Sequence, residues 1–153
     1  MGEEKEARGE VRHTVYLGLG SNLGDREATI SRAVEMIGEQ AGAVEAQSAL
    51  FYSEPWGFRS ENGFVNAAVR ITTVHTPLQL LRTLQRIERQ LGKTASNATE
   101  RSGRPAPIYH DRPIDIDILL YDDLSIDTME LKIPHPLMHQ RPFVMVPLSE
   151  VLI

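Results

Sequence analysis

Two aspartates separated by one residue, Asp115 and Asp117, are the sharpest chemical feature of the sequence. On a strand, alternate side chains share a face, so both carboxylates point the same way, roughly 6.5–7 Å apart along the chain. Ile114, Ile116, Ile118 and Leu120 take the opposite parity and read as core-facing. Two carboxylates on one sheet face must be solvated, paired or metal-bound. Carboxylate oxygens suit Mg²⁺, which completes its shell with water and substrate phosphates. Two such ions about 3.5–4 Å apart make a phosphoryl-transfer arrangement. The alternation alone leaves a second reading open, the solvent-facing half of an ordinary strand.

Other residues could serve the same chemistry. Gln85 and Glu88 stand at i and i+3 and share a helix face, for which a plain solvated surface is the more common reading. Residues 93–112 set Lys93, Arg101, Arg104 and Arg112 against Glu100 and Asp111. Arginines ahead of a carboxylate pair fit a polyphosphate clamp, and a loop this long in a compact domain reads as a lid, a binding loop or a soluble surface loop. Phe64 and Asn66 share strand parity, opposite Val65, Ala67, Val69 and Ile71. A ring beside an amide would suit a flat heterocycle, since the ring stacks while the amide both donates and accepts. A core Phe with a locally bonded Asn is the plainer alternative. Three patterns point elsewhere and fail. Gly18, Gly20 and Gly24 are spaced G-x-G-x-x-x-G, one residue too long for the dinucleotide fingerprint. His135 and His139 lie in HPLMH, without the glutamate of HExxH. No RNP1 segment is present for RNA stacking.

The elements that must position these residues follow from periodicity. Val15, Leu17 and Leu19 alternate, predicting a strand over 14–19. GSNLGD supplies a turn, and Ile30, Ala33, Val34 and Ile37 predict a helix over about 25–40, ended near Gly42. Val44, Ala46, Leu50 and Tyr52 fall on one parity, predicting one strand over 44–52. SEPWGFRSENG reads as loop, and 64–74 as a strong strand. Thr76-Pro77 is an N-cap followed by proline at the first helical position. Leu80, Leu84, Ile87 and Leu91 then form a helix stripe closed by Gly92. Residues 113–121 alternate as a strand, followed by a short extended segment at 131–133 and a proline-punctuated end. The order is β-α-β-β-α-β, an α+β ferredoxin-like arrangement with an antiparallel sheet and helices packed on one face.

Composition bounds the rest. The 153 residues carry 16 Lys and Arg against 21 Asp and Glu, a net charge of −5, with 41% hydrophobic residues. That is one ordinary globular domain. The absence of cysteine excludes disulfides, cysteine–zinc sites and thiol catalysis. Acidic balance argues against nucleic acid or anionic membranes as partners. Residues 1–12 read as a disordered tail and 13–153 as the domain; a cytoplasmic monomer is expected.

Five ordered motifs carry a resemblance. They are YLGLGSNLGDR (16–26), SEPWGF with FVNAAV (53–58, 64–69), LQRIERQLGK (84–93), DRPIDIDILLYD (111–122) and IPHPLMHQRPFV (133–144). Together they resemble the 6-hydroxymethyl-7,8-dihydropterin pyrophosphokinases of folate synthesis over about residues 14–150. The resemblance implies a ferredoxin-like fold and transfer of the β,γ-pyrophosphoryl group of ATP to the pterin hydroxymethyl oxygen, releasing AMP. It implies that Asp115 and Asp117 hold two Mg²⁺ ions. It also implies ATP contacts from Gln85, Glu88, Ile118, Lys132, His135 and Arg141, with Arg112 and Lys93 as phosphate clamps and Arg101 or Arg104 assisting. Phe64 and Phe143 would sandwich the pterin, Asn66 would bond its edge, and Ser53, Glu54, Pro55 and Trp56 would complete the pocket. Tyr109 stands where relatives often have tryptophan and would cover the pterin. Two rivals stay open on the residues alone: a metal-dependent nucleotidyltransferase, and a ferredoxin-like nucleotide- or RNA-binding module.

Overall fold

The computed structural model describes residues 11–53, 63–92 and 113–153. Strand β1 (His13–Ser21) leads into helix α1 (Arg26–Gln40), and strands β2 (Ala43–Gln47), β3 (Phe51–Ser53) and β4 (Phe64–Thr73) follow. Helix α2 (Pro77–Gln90) and strand β5 (Asp115–Tyr121) complete the expected core. A small ribbon, β6 (Ile126–Asp127) and β7 (Lys132–Ile133), precedes helix α3 (Pro142–Val151). The main sheet runs β2-β4-β1-β5, with β3 also on β4, and every pairing is antiparallel.

Helix starts follow their sequence signals. The Asp25 side chain accepts from the Ala28 N–H at 3.1 Å and caps α1. Thr76 and Gln79 form a reciprocal capping box at α2, with Pro77 in its first turn. Gly24 in the turn before α1 (φ +71°) and Gly92 after α2 (φ +110°) adopt the left-handed backbone that glycine tolerates.

The odd residues of β1 (Val15, Leu17, Leu19) meet Val65, Ala67, Val69 and Ile71 of β4 and Ile116 and Ile118 of β5. Over them lie Ile30, Ala33, Met36 and Ile37 of α1 and Leu80, Leu84 and Ile87 of α2. This is the main core, with both long helices on one sheet face, as the alternation predicts.

Three expectations change. Residues 44–52 are not one strand of one parity. A register shift between Val44 and Ala46 inserts Glu45 as an extra residue. Val44 therefore faces the main core while Ala46 faces the other side, and the chain breaks before β3. In β5 the register shifts again, pairing Leu17 with Ile118 but Tyr16 with Leu120. Leu119 is the extra residue, so Leu120 leaves the main core and packs against the opposite cluster. The proline-punctuated end is in fact a helix. Pro142 occupies the first turn of α3, where its missing N–H costs nothing. Pro147 lies inside, where it removes one backbone bond, which is why propensity hides the helix.

α3 lies on the second sheet face. Its Leu148 and Val151, with Met138, bury against Tyr16, Ala68 and Leu119. Arg70 Nε donates to Val151 O at 3.0 Å, and the Ala49 N–H donates to Glu150 Oε1 at 2.8 Å. Truncating Leu148, 1% exposed, tests this docking. Leu148→Ala should lower unfolding free energy by about 2–5 kcal/mol in urea denaturation. A loss under about 1 kcal/mol would mean that α3 does not pack here.

Candidate active site

The second face of the sheet is only partly covered by α3. Beyond Tyr16, Ala68 and Leu119 the register brings a different set of residues together. Gly20 of β1 lies opposite Asn66 on one side and Asp115 on the other. Gly18 lies between Ala68 and Asp117 in the same way. Phe64 and Asn66 thus share a face with the two aspartates, across a strand that carries no side chain at its two nearest positions. The central strand positions both halves of the site.

The aspartates present oxygen donors at a half-exposed surface, Asp117 having 45% of its side chain accessible. Among the described residues no three His, Asp or Glu side chains converge as metal ligands. The donor set fits Mg²⁺ that takes further oxygens from water and phosphate. His135 stands beside them. Its backbone N–H donates to Leu119 O at 3.0 Å. Its Nδ1 lies 2.8 Å from Pro136 O, a carbonyl that only accepts, so Nδ1 carries the proton. Nε2 then faces Asp117 Oδ1 at 3.9 Å, too far for a hydrogen bond.

Glu88 is not part of a solvated polar face. It is 7% exposed, and its Oε2 accepts the Ile116 N–H at 2.7 Å. β5 is an edge strand, and this carboxylate satisfies an edge N–H between the two aspartates. Gln85, one turn earlier, is half-buried. Ile118 turns its side chain into the main core, leaving only its backbone for a ligand.

On the β4 side of Gly20, Asn66 is 9% exposed. Its Nδ2 donates weakly to Leu19 O at 3.4 Å, and its Oδ1 is buried without a partner among the described residues. An orphaned buried acceptor costs about 1–3 kcal/mol, which a ligand donor would recover. Phe64 beside it is half-buried, and Ser53 pairs with Phe64 at the end of β3. Phe143 is half-buried in the first turn of α3, with the Arg141 guanidinium 5.8 Å from its ring centre. Nearby, Arg26 Nη1 donates to Gly63 O at 2.9 Å, and Tyr52 Oη donates to Glu27 Oε2 at 2.9 Å. These bonds tie the start of α1 to β3 and to the start of β4. The Glu27 carboxyl is held below its usual range by a backbone hydrogen bond and by Tyr52.

Lys132 is engaged elsewhere in the described structure, Nζ lying 2.7 Å from Asp127 Oδ1 and 3.1 Å from Thr128 O. Hydrogen bonding to Lys132 lowers the Asp127 pKa. The pair therefore steadies the β6–β7 ribbon above the ordinary carboxylate pKa and loses that effect as pH falls through the depressed value. Glu54, Pro55, Trp56, Lys93, Arg101, Arg104, Tyr109 and Arg112 lie outside the described residues, as does the proposed lid 93–112 and residues 1–10 of the tail.

The family model for 7,8-dihydro-6-hydroxymethylpterin-pyrophosphokinase (HPPK) matches residues 16–153. The chain belongs to this family. A 2-amino-4-hydroxy-6-hydroxymethyldihydropteridine pyrophosphokinase of Porphyromonas gingivalis is 45% identical over 138 residues, covering 90% of this chain and 89% of that one. The Bacillus subtilis protein of the same name is 37% identical over 142 residues, covering 92% and 79%. The fold of this HPPK-family chain resembles a crystal structure of HPPK-DHPS in complex with substrates, with TM-score 0.63, 15% identity and 92% of this chain covered. Wild-type Plasmodium falciparum HPPK-DHPS with pteroate gives TM-score 0.65 at 16% identity over 91% of this chain. The chain spans only 40% and 38% of those two solved chains.

Sequence reasoning missed two contributors: Gly20 as floor, and Glu88 as the anchor of β5. The signal for the first was present, since glycines inside an otherwise apolar strand mark a close approach. The second has a direct test. Glu88→Ala should cost about 1–3 kcal/mol of stability by leaving the Ile116 N–H unpaired. Glu88→Gln, which keeps an acceptor, should recover most of it in the same urea titration. Equal stability of Glu88→Ala and the parent would remove the anchor.

Proposed function

We propose that the chain transfers the pyrophosphoryl group of ATP to the hydroxymethyl oxygen of 6-hydroxymethyl-7,8-dihydropterin, releasing AMP, as a step of folate synthesis. Family membership supports the reaction and sets aside the nucleotidyltransferase and the binding module. The observation that carries the reading to this site is the register across β1. It sets an aspartate pair and a ring–amide pair on one sheet face, two strand spacings or about 9.5 Å apart.

The pterin alcohol oxygen would form a bond to the β-phosphorus while the bond from that phosphorus to the α,β-bridging oxygen breaks. AMP takes the bridging oxygen, and the alcohol proton leaves to solvent. We assign no general base. Rate then comes from alignment and from neutralising phosphate charge. Asp115 and Asp117 would hold two Mg²⁺ ions, which supply positive charge against the ATP phosphates. Phe64 and Phe143 would stack the pterin, with Asn66 Oδ1 accepting from its edge and Ser53 to Trp56 completing the pocket. Gln85, Glu88, Ile118, Lys132, His135 and Arg141 are assigned to ATP, with Arg112 and Lys93 clamping phosphates and Tyr109 covering the pterin. Among the described residues no helix is long and apolar enough to cross a membrane. We place the enzyme in the cytoplasm, as a monomer with residues 13–153 forming its domain.

With ATP, Mg²⁺ and the pterin, AMP should appear in step with pterin pyrophosphate by ion-exchange chromatography; ADP instead would contradict pyrophosphoryl transfer. Asp115→Ala and Asp117→Ala should each lower turnover by about 10²–10³ without loss of stability. Near-normal rates in either folded variant would remove the metal role. Phe64→Ala and Phe143→Ala should weaken pterin binding beyond the roughly 0.5–1.5 kcal/mol of ring stacking, while leaving ATP binding nearly unchanged by calorimetry. Equal losses for both ligands would make these rings core residues only.

A further inference from the structure

The bare position at Gly20 has a consequence for substrate choice. A Cβ built there would stand 2.8 Å from Asn66 Nδ2 and 3.8 Å from its Cγ. The carboxamide of Asn66 therefore leans across β1, over the space that any other residue would fill. The next atom is Phe64 Cδ1 at 3.9 Å, an ordinary contact. Gly20 does not have a positive φ, so an alanine backbone is acceptable there, and among the described residues the amide is the sole obstacle. Gly18 differs: its Cβ would meet the flexible Leu119 side chain at 3.3 Å, and its smallness serves packing under the bulge.

We propose that Gly20 is a positioning residue for pterin specificity, acting through Asn66. Resting on the pyrophosphokinase reading, this inference gives Gly20 a role that the ring–amide pair alone does not explain. Asn66 is nine-tenths buried, with an acceptor that no group among the described residues satisfies. That acceptor selects a ligand edge presenting N–H only while the amide is held at one place. A methyl at 20 would push the amide away from β1 and turn Oδ1 off the heterocycle. The close collision is on the Asn66 side: no described atom of Asp115 comes nearer the added carbon than the 3.9 Å of Phe64 Cδ1.

Steady-state kinetics on the full chain test this. Gly20→Ala should raise KM for 6-hydroxymethyl-7,8-dihydropterin about tenfold or more, with kcat within about threefold and KM for ATP within about twofold. In an Asn66→Ala background the same change should alter kcat/KM for the pterin by less than about twofold, since the colliding group is gone. An unchanged pterin KM in Gly20→Ala would overturn the inference. So would an equal loss in both backgrounds, which would place the effect in the backbone or in direct contact with ligand. If Gly20→Ala fails to fold, Gly20→Ala with Asn66→Ala should fold and retain the Asn66→Ala pterin kinetics; failure of the pair to fold would also overturn it. A parent chain that turns over no pterin counts against the pyrophosphokinase reading, whereas a parent that does, beside an unaffected Gly20→Ala, counts against this inference alone.

Discussion

The alignment of β1 between β4 and β5 is the constraint on which the rest depends. Strand side chains alternate, so a slip of one residue would turn the site face into the core. Several forces hold the register. Val15, Leu17 and Leu19 are almost completely buried, and no other parity of β1 offers three large apolar side chains. At the far end Asp122 clamps both strands: its backbone N–H donates to Thr14 O and its Oδ1 accepts the Thr14 N–H, each at 2.8 Å. His13 adds a 2.7 Å contact to Asp122 Oδ2 and lies against the Tyr121 ring. Tyr121 Oη donates to His75 O at 2.6 Å, and burial, with Asp122 nearby, pushes its phenol pKa up. Glu88 finishes the edge.

The second sheet face is divided between packing and chemistry. One part is covered by α3, whose apolar residues seat on Tyr16, Ala68 and Leu119. The remaining part carries Phe64, Asn66, Gly20, Asp115 and Asp117. The bulge at Leu119 marks the boundary on β5, since it swings Leu119 over Gly18 and ends the simple alternation that aimed the aspartates outward. Bulges at such boundaries redirect side chains and stop a pairing pattern from running through a site.

Much of this was legible in the residues. The strand parities of Asp115 and Asp117 and of Phe64 and Asn66 read correctly, because alternation is a local property. The Thr76–Pro77 start of α2 was equally plain. What failed was non-local. Neither bulge has a local signature, so Leu120 and Ala46 were assigned to the wrong face. Pro147 disguised α3, whose stability comes from packing and not from propensity. Glu88 looked like solvated helix surface because its partner, the Ile116 N–H, is 28 residues away. Gly20 is hidden by the G-x-G-x-x-x-G spacing, because the side chain that approaches it, Asn66, lies on the neighbouring strand.

The central claim is that phosphate and heterocycle meet on this one sheet face. Paramagnetic broadening of assigned amide resonances by Mn²⁺ with a non-hydrolysable ATP analogue tests it most directly. The account predicts broadening strongest at Asp115 to Asp117 and at Gly18 to Gly20, falling off with distance through the sheet toward α1. Broadening centred instead on Asp122, Asp123 or Asp127, with the β1–β5 pair unaffected, would contradict it.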